Sequence, residues 1–181
     1  MAVLAGDALL TAAFQQLAIA ELPAHTRIQA VEVLSDCAGE LGMVGGQVLD
    51  IQSEERQCTK QEVIDIQSRK TGALINAACV LGVIAAGGSQ EQIEAAAKFA
   101  ATLGMAFQIR DDMLDVIGTV AEMGKGVGTD STKNTFVRIY GIDRCEQLVQ
   151  NYTKSAIDAI SIFDDHDFLI NLATELTNRR T

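Results

Sequence analysis

Residues 108–116 read QIRDDMLDV, and they set Asp111, Asp112 and Asp115 within about one helical turn of an otherwise oily segment. On a helix, Asp111 and Asp115 stand i, i+4 and share a face, with Asp112 about 100° away. Like charges at that spacing destabilise a helix by a few tenths of a kcal/mol. A plain solvated face would account for them, but Ile109, Met113, Leu114 and Val116 leave little room for one. A divalent cation accounts for them better. Mg²⁺ is commonly held by one or two carboxylates, with phosphate oxygens and waters completing its shell.

The surrounding chain is helical in character. Of 181 residues, 48% are apolar, 4% are aromatic and one is proline, which favours packed helices over a sandwich or barrel. Ala2 to Ala20 is expected as a first helix, stopped before Pro23. Thr26 to about Ile51 is expected as a second, with Ile28, Val31, Leu34, Leu41, Val44 and Val48 near one face. Thr59 followed by Glu62 forms a capping box that opens a third, running through Ile64, Ile66 and Ala73 to the AAGGS break at Ala85. Ser89 with Gln92 opens a fourth, which carries the aspartates to Gly118. A glycine- and lysine-bearing loop then spans Gly118 to Asn134, before helices at roughly Ile142–Phe163 and Phe168–Arg179. There is no βαβ alternation, internal repeat or low-complexity linker, so residues 1–181 read as one domain.

Charge narrows the function classes. A net charge of −10 disfavours a nucleic-acid surface, which needs a basic stripe against phosphates. Cys37, Cys58, Cys79 and Cys145 show no CxxC pairing, and only two histidines are present, so free core thiols are expected in place of a zinc site. No basic leader opens the chain, and the oiliest run, from Ala73, is shorter than the ~20 residues of a membrane span. A cytoplasmic protein without a membrane span is the expectation.

Two further features favour a diphosphate ligand. Lys70 beside Thr71, and Lys125 and Lys133 in the loop, supply point charges and a hydroxyl suited to phosphate. Any one of these lysines could equally be a solubility residue. A nucleotide P-loop is excluded at GTVAEMGKG: five residues separate Gly118 from Gly124 where four are needed, and Gly126 follows Lys125. Gly39, Gly42 and Gly46 recur at i, i+3, i+7, each costing about 1 kcal/mol in a helix, which implies close approach of another helix or a ligand.

The blocks VLAGDALLTAAF, ELGMVGGQVLDI, KTGALI, FQIRDDMLDVIGT and GKGVGTDSTKNTFV together resemble, in order, the trans-prenyl diphosphate synthases. The wording of GMVGGQ and KTGALI is most like the bacterial farnesyl diphosphate synthase type. The resemblance implies an all-α, antiparallel helical bundle of the isoprenoid synthase kind around a cavity, usually dimeric. It implies head-to-tail condensation of isopentenyl diphosphate with an allylic diphosphate, geranyl to farnesyl, with Mg²⁺. Asp111, Asp112 and Asp115 would hold Mg²⁺. Lys70, Thr71, Gln108 and Lys125 would contact the allylic diphosphate or its cation, and Lys133 would close over it. Gln47 and Asp50 would line the cavity.

That family's first aspartate-rich motif belongs before VLAGDALLT, which here begins at Val3. The chain therefore resembles the C-terminal part of a synthase, a partial domain without its N-terminal helices. Little prenyltransferase turnover is expected of it as given, together with self-association through opened apolar faces. A non-catalytic helical partner or regulatory subunit of the same fold is the competing reading, and a terpene cyclase-like lyase is disfavoured by KTGALI and the lysine-bearing loop.

Overall fold

The computed structural model describes residues 1–123 and 134–179, with residues 118–123 described by backbone alone. Every regular element among them is helical: α1 (Ala2–Ile19), α2 (Ala24–Ala38), α3 (Met43–Ser53), α4 (Lys60–Gln67), α5 (Ala73–Ala85), α6 (Gln90–Met123), α7 (Phe136–Tyr140), α8 (Ile142–Ala159) and α9 (Asp167–Asn178). A five-residue π-helical turn, Ser68–Gly72, joins α4 to α5.

The spine is α6. It buries Phe99 and Leu103 against Ala156 of α8, Ile160 just after that helix, and Ala173 of α9. One and a half turns on, Ile109 and Met113 pack with Val63, Phe136, Cys145 and Val149. A smaller cluster joins Ala30 of α2 to Val80 and Ile84 of α5. Small residues such as Ala100, Ala106 and Ala156, each fully buried, let these helices lie close together.

Local chemistry sets several boundaries as expected. Thr59 Oγ1 accepts from the Glu62 amide at 3.3 Å while Glu62 Oε2 accepts from the Thr59 amide at 2.8 Å, a complete capping box. Ser89 and Gln92 repeat the arrangement at the start of α6, at 2.9 and 3.2 Å.

Three expectations need correction. The single helix expected from Thr26 to Ile51 is two, because Gly39 and Gly42 end one and start the next with non-helical backbone. A Cβ on Gly42 would lie 2.0 Å from the Cys37 carbonyl oxygen, so the chain turns where only glycine fits. The break also rotates the expected apolar face. Leu34 is buried, whereas Ile28, Leu41, Val44 and Val48 are exposed. The helix from Lys60 to Ala85 is interrupted by the π turn, which period-3.6 patterning cannot register. Lastly, α6 continues to Met123, so the stretch from Gly118 belongs to the helix, and α7 was not foreseen.

The third glycine does meet a neighbouring element. A Cβ on Gly46 would stand 2.3 Å from the Lys70 amide nitrogen and 2.7 Å from its Cα, so α3 lies in backbone contact with the π turn. At α1 the packing is one-sided. It lies on α2, buries no residue, and exposes Val3, Leu4 and Leu9. By length and composition α1 alone among the described helices could cross a membrane, with a mean hydropathy of 1.4 over 18 residues.

Gly46→Ala is expected to lower unfolding free energy by about 1–3 kcal/mol through overpacking, despite alanine's better helix propensity. Gly82→Ala, where a Cβ meets nothing within 4 Å, is the control and is expected to stabilise by about 0.5–1 kcal/mol. Urea denaturation of both variants distinguishes contact from propensity, and a stabilised Gly46→Ala chain contradicts the packing. The hydrogen bonds from the Thr59 backbone and hydroxyl, then from Arg56, hold the Glu62 carboxyl at about 2, against its usual 4.5. Its contribution to the α4 cap is therefore present above about 4.5 and lost as pH falls through about 2. An NMR titration of Glu62 is expected to find that low midpoint, and Thr59→Ala is expected to return it toward 4.5.

Candidate functional site

The π turn is the hinge of the site. A single i→i+5 turn adds a residue to the helix and re-aims the side chains it carries, here Lys70 and Thr71. Because Gly46 admits the turn so closely, Asp50, one helical turn farther along α3, reaches Lys70. Their ion pair closes at 2.5 Å, with both side chains about a third exposed. Gln47 stands exposed on the same helix. On the other flank, the π turn meets α6 at a second close approach, where a Cβ on Gly104 would sit 3.4 Å from the Gly72 Cα.

That approach joins two distant motifs through a line of hydrogen bonds. Thr71 Oγ1 donates to Gln108 Oε1 at 3.2 Å, and Gln108 Nε2 donates to Asp112 Oδ1 at 3.1 Å. Asp112 Oδ2 then accepts from the Phe136 backbone N–H at 2.7 Å. The π turn thus brings Lys70 to Asp50 and Thr71 to Gln108. Lys125 and Lys133 lie outside the described residues.

The three aspartates divide. Asp112 is 6% exposed and has both oxygens engaged. Burial pushes its carboxyl above the usual range, the Phe136 and Gln108 hydrogen bonds oppose the rise, and the Asp115 charge adds to it. Asp111 and Asp115 lie on the accessible side of the same helix. Asp111 already receives a cation, the guanidinium of Arg179, which shows that its oxygens face a place where positive charge can sit. Two hard carboxylates one turn apart suit Mg²⁺. Among the described residues no group of three His, Cys, Asp or Glu side chains is placed to hold a metal, so phosphate oxygens and water would complete the shell.

Several structural partners were not anticipated. Arg110, beside the aspartates, turns to the other side of α6. It pairs with Glu146 of α8 at 2.9 Å and donates to the Thr177 carbonyl of α9 at 2.6 Å. Asn134 accepts from the Cys58 amide at 2.9 Å and donates to the Ser53 and Arg56 carbonyls at 2.9 and 3.0 Å. It fastens the start of α7 to the α3–α4 connection. No periodicity marks such residues, since their partners are backbone carbonyls and a side chain far away in sequence. All four cysteines are free thiols, and burial pushes that of Cys145 up to about 11, with Asp112 adding to it.

Asp112→Ala leaves the buried Phe136 N–H without an acceptor and is expected to cost about 1–3 kcal/mol. Asp112→Asn keeps an acceptor and removes a desolvated charge, so it is expected to lose less than half as much. Equal losses in chemical denaturation would show that the carboxylate does not anchor α7.

The polyprenyl synthetase family model matches residues 1–162. That match takes in α1, so the apolar first helix is part of this family's sequence pattern. A farnesyl diphosphate synthase of Micrococcus luteus is 38% identical over 181 residues, covering 98% of this chain and 62% of the relative. A geranyltransferase of Helicobacter pylori, solved with magnesium and isoprenyl diphosphate, superposes with a TM-score of 0.77 at 31% identity, over 98% of this chain and 59% of that one. A geranylgeranyl pyrophosphate synthetase of Pyrococcus horikoshii superposes at 0.86 with 27% identity, over 98% of this chain and 67% of that one. The chain thus spans about three fifths of the length of the Micrococcus relative. With its helices, its KT turn and its aspartate-bearing α6 arranged as described, the chain belongs to the polyprenyl synthetase family.

Proposed function

We propose that this chain provides the diphosphate- and Mg²⁺-binding part of a prenyltransferase that condenses isopentenyl diphosphate with an allylic diphosphate, geranyl to farnesyl. The observation that carries this reading is the Thr71–Gln108 hydrogen bond at 3.2 Å, which sets the KT turn against the aspartate turn of α6. A phosphate-seeking lysine and hydroxyl and a carboxylate cradle for a cation thereby border one space. The solved Helicobacter relative, with magnesium and isoprenyl diphosphate bound, supports the same ligand classes.

In this reading Asp111 and Asp115 hold Mg²⁺. When bound, the cation offsets the negative charge that develops on pyrophosphate as the allylic C–O bond ionises. Lys70 does the same as a point charge, its ammonium oriented by the ion pair with Asp50. Thr71 and Gln108, hydrogen-bonded to each other, form the wall against which the diphosphate and its allylic centre would lie. Asp112 fixes Gln108 and the start of α7 from behind. Lys125 and Lys133 are assigned to the diphosphate by sequence, and Gln47 to the cavity wall.

A cytoplasmic setting accords with the bacterial relatives. The exposed apolar side chains of α1, Val3 at 77% and Leu9 at 72%, favour a homodimer or larger self-association.

Isothermal calorimetry with geranyl diphosphate and Mg²⁺ tests the reading. Binding is expected to require both ligands and to fall at least tenfold when Asp111 and Asp115 become alanine. Lys70→Ala is expected to weaken the diphosphate about threefold to tenfold, as for a lost charge-assisted contact. A folded chain that ignores the loaded diphosphate, or binds it equally without the carboxylates, contradicts the proposal. Binding without product in a prenyl-transfer assay accords with the little turnover expected of a chain that spans about three fifths of a relative's length.

A further inference from the structure

The residue that faces Asp111 from outside α6 is Arg179, immediately after α9. Its guanidinium forms an ion pair with Asp111 Oδ1 and lies over the Phe107 ring, 4.3 Å from the centroid. Phe107 precedes Asp111 by one helical turn, so ring and carboxylate together make a seat for a flat cation. The end of α9 is carried to this place by the neighbouring residue on α6, because Arg110 Nε donates to the Thr177 carbonyl at 2.6 Å. Arg110 is itself held by Glu146. The arginine is therefore delivered by a braced helix end.

One detail sets this contact apart from a structural salt bridge. Arg179 Nε is buried and has no hydrogen-bond partner. An unpaired buried donor carries a desolvation penalty, so the seated guanidinium is satisfied only in part. Its release relieves that penalty.

We infer that Arg179 is a built-in counter-ion for the metal site: it occupies Asp111 while no divalent cation is bound and has to leave before that carboxylate can ligate one. The inference rests on the assignment of Asp111 to Mg²⁺ proposed above. Two consequences follow from simple competition. The resting Asp111 keeps a counter-charge of its own, and every cation that enters does so against an internal rival. An anionic diphosphate arriving with the metal offers the displaced guanidinium a new partner, so the two ligands assist each other's entry. Mg²⁺ alone binds weakly, and Mg²⁺ with a diphosphate binds well.

The test is a Mg²⁺ titration by calorimetry on the 181-residue chain, with and without inorganic pyrophosphate, for the wild type, Arg179→Ala and Arg179→Gln. For an ion pair about a third exposed, the variants are expected to bind Mg²⁺ alone about twofold to fivefold more tightly than the wild type. The gain in Mg²⁺ affinity on adding pyrophosphate is expected to shrink in both. Arg179→Gln keeps the stem and a polar head without charge, so it decides the matter should the alanine variant unfold in a circular dichroism melt. Equal Mg²⁺ affinity in wild type and folded variants overturns the counter-ion while leaving Asp111 as a ligand. Absence of Mg²⁺ binding from all three chains, with and without pyrophosphate, overturns the metal assignment and the counter-ion with it.

Discussion

The contact between the Gly46 backbone and the peptide units of Arg69 and Lys70 is the constraint on which the site depends. It brings α3 to within van der Waals reach of the π turn and leaves no space for a side chain between them. With that distance fixed, Asp50 falls beside Lys70, and the turn is held on its far side by Gly104 and Thr71. An ammonium on a four-carbon stem has many positions available in solution. Backbone-to-backbone packing, a π turn and one carboxylate reduce these to a single useful one. The geometry thus begins with a missing Cβ and ends with an oriented charge.

Helix α6 then separates opposing demands by rotation about its axis. Gln108 and Asp112 look toward the π turn and α7, Arg110 looks toward α8 and α9, and Asp111 meets the end of α9. Adjacent residues 100° apart thereby serve an internal polar line, a brace between helices and an accessible carboxylate. Ile109 and Met113 lie between these and seal the core, both almost wholly buried. The oily and acidic residues that look incompatible in sequence are compatible because they point in different directions.

Charge placement follows the same economy. Asp112 is kept inside at a desolvation penalty and compensated by two donors, so it is suited to holding structure. Asp111 is left at the surface, where exchange of one cation for another is feasible. The paired arginines differ accordingly. Arg110 is buried and engaged by both Glu146 and Thr177, while Arg179 sits at a helix end with one donor unserved.

By itself the amino-acid pattern determined the fold class and most helix boundaries, and it singled out Thr71, Gln108 and Asp112, which hydrogen bonds join, and Lys70 and Asp50, which pair. Capping boxes, apolar periodicity and ordered motifs are local signals, and Thr59, Ser89, KTGALI and QIRDDMLDV carry them openly. Only the tertiary structure decided the division of the second expected helix at Gly39 and Gly42, the π turn at Ser68–Gly72, and the inward turn of Asp112. It also decided the partners of Asn134, Arg110 and Arg179. The break at Gly39 and Gly42 rests on close backbone contacts with Ser35 and Cys37, and the other features depend on contacts between segments tens of residues apart. Sequence spacing gives a residue's direction on its own helix, but what it meets there is set by how the helices pack.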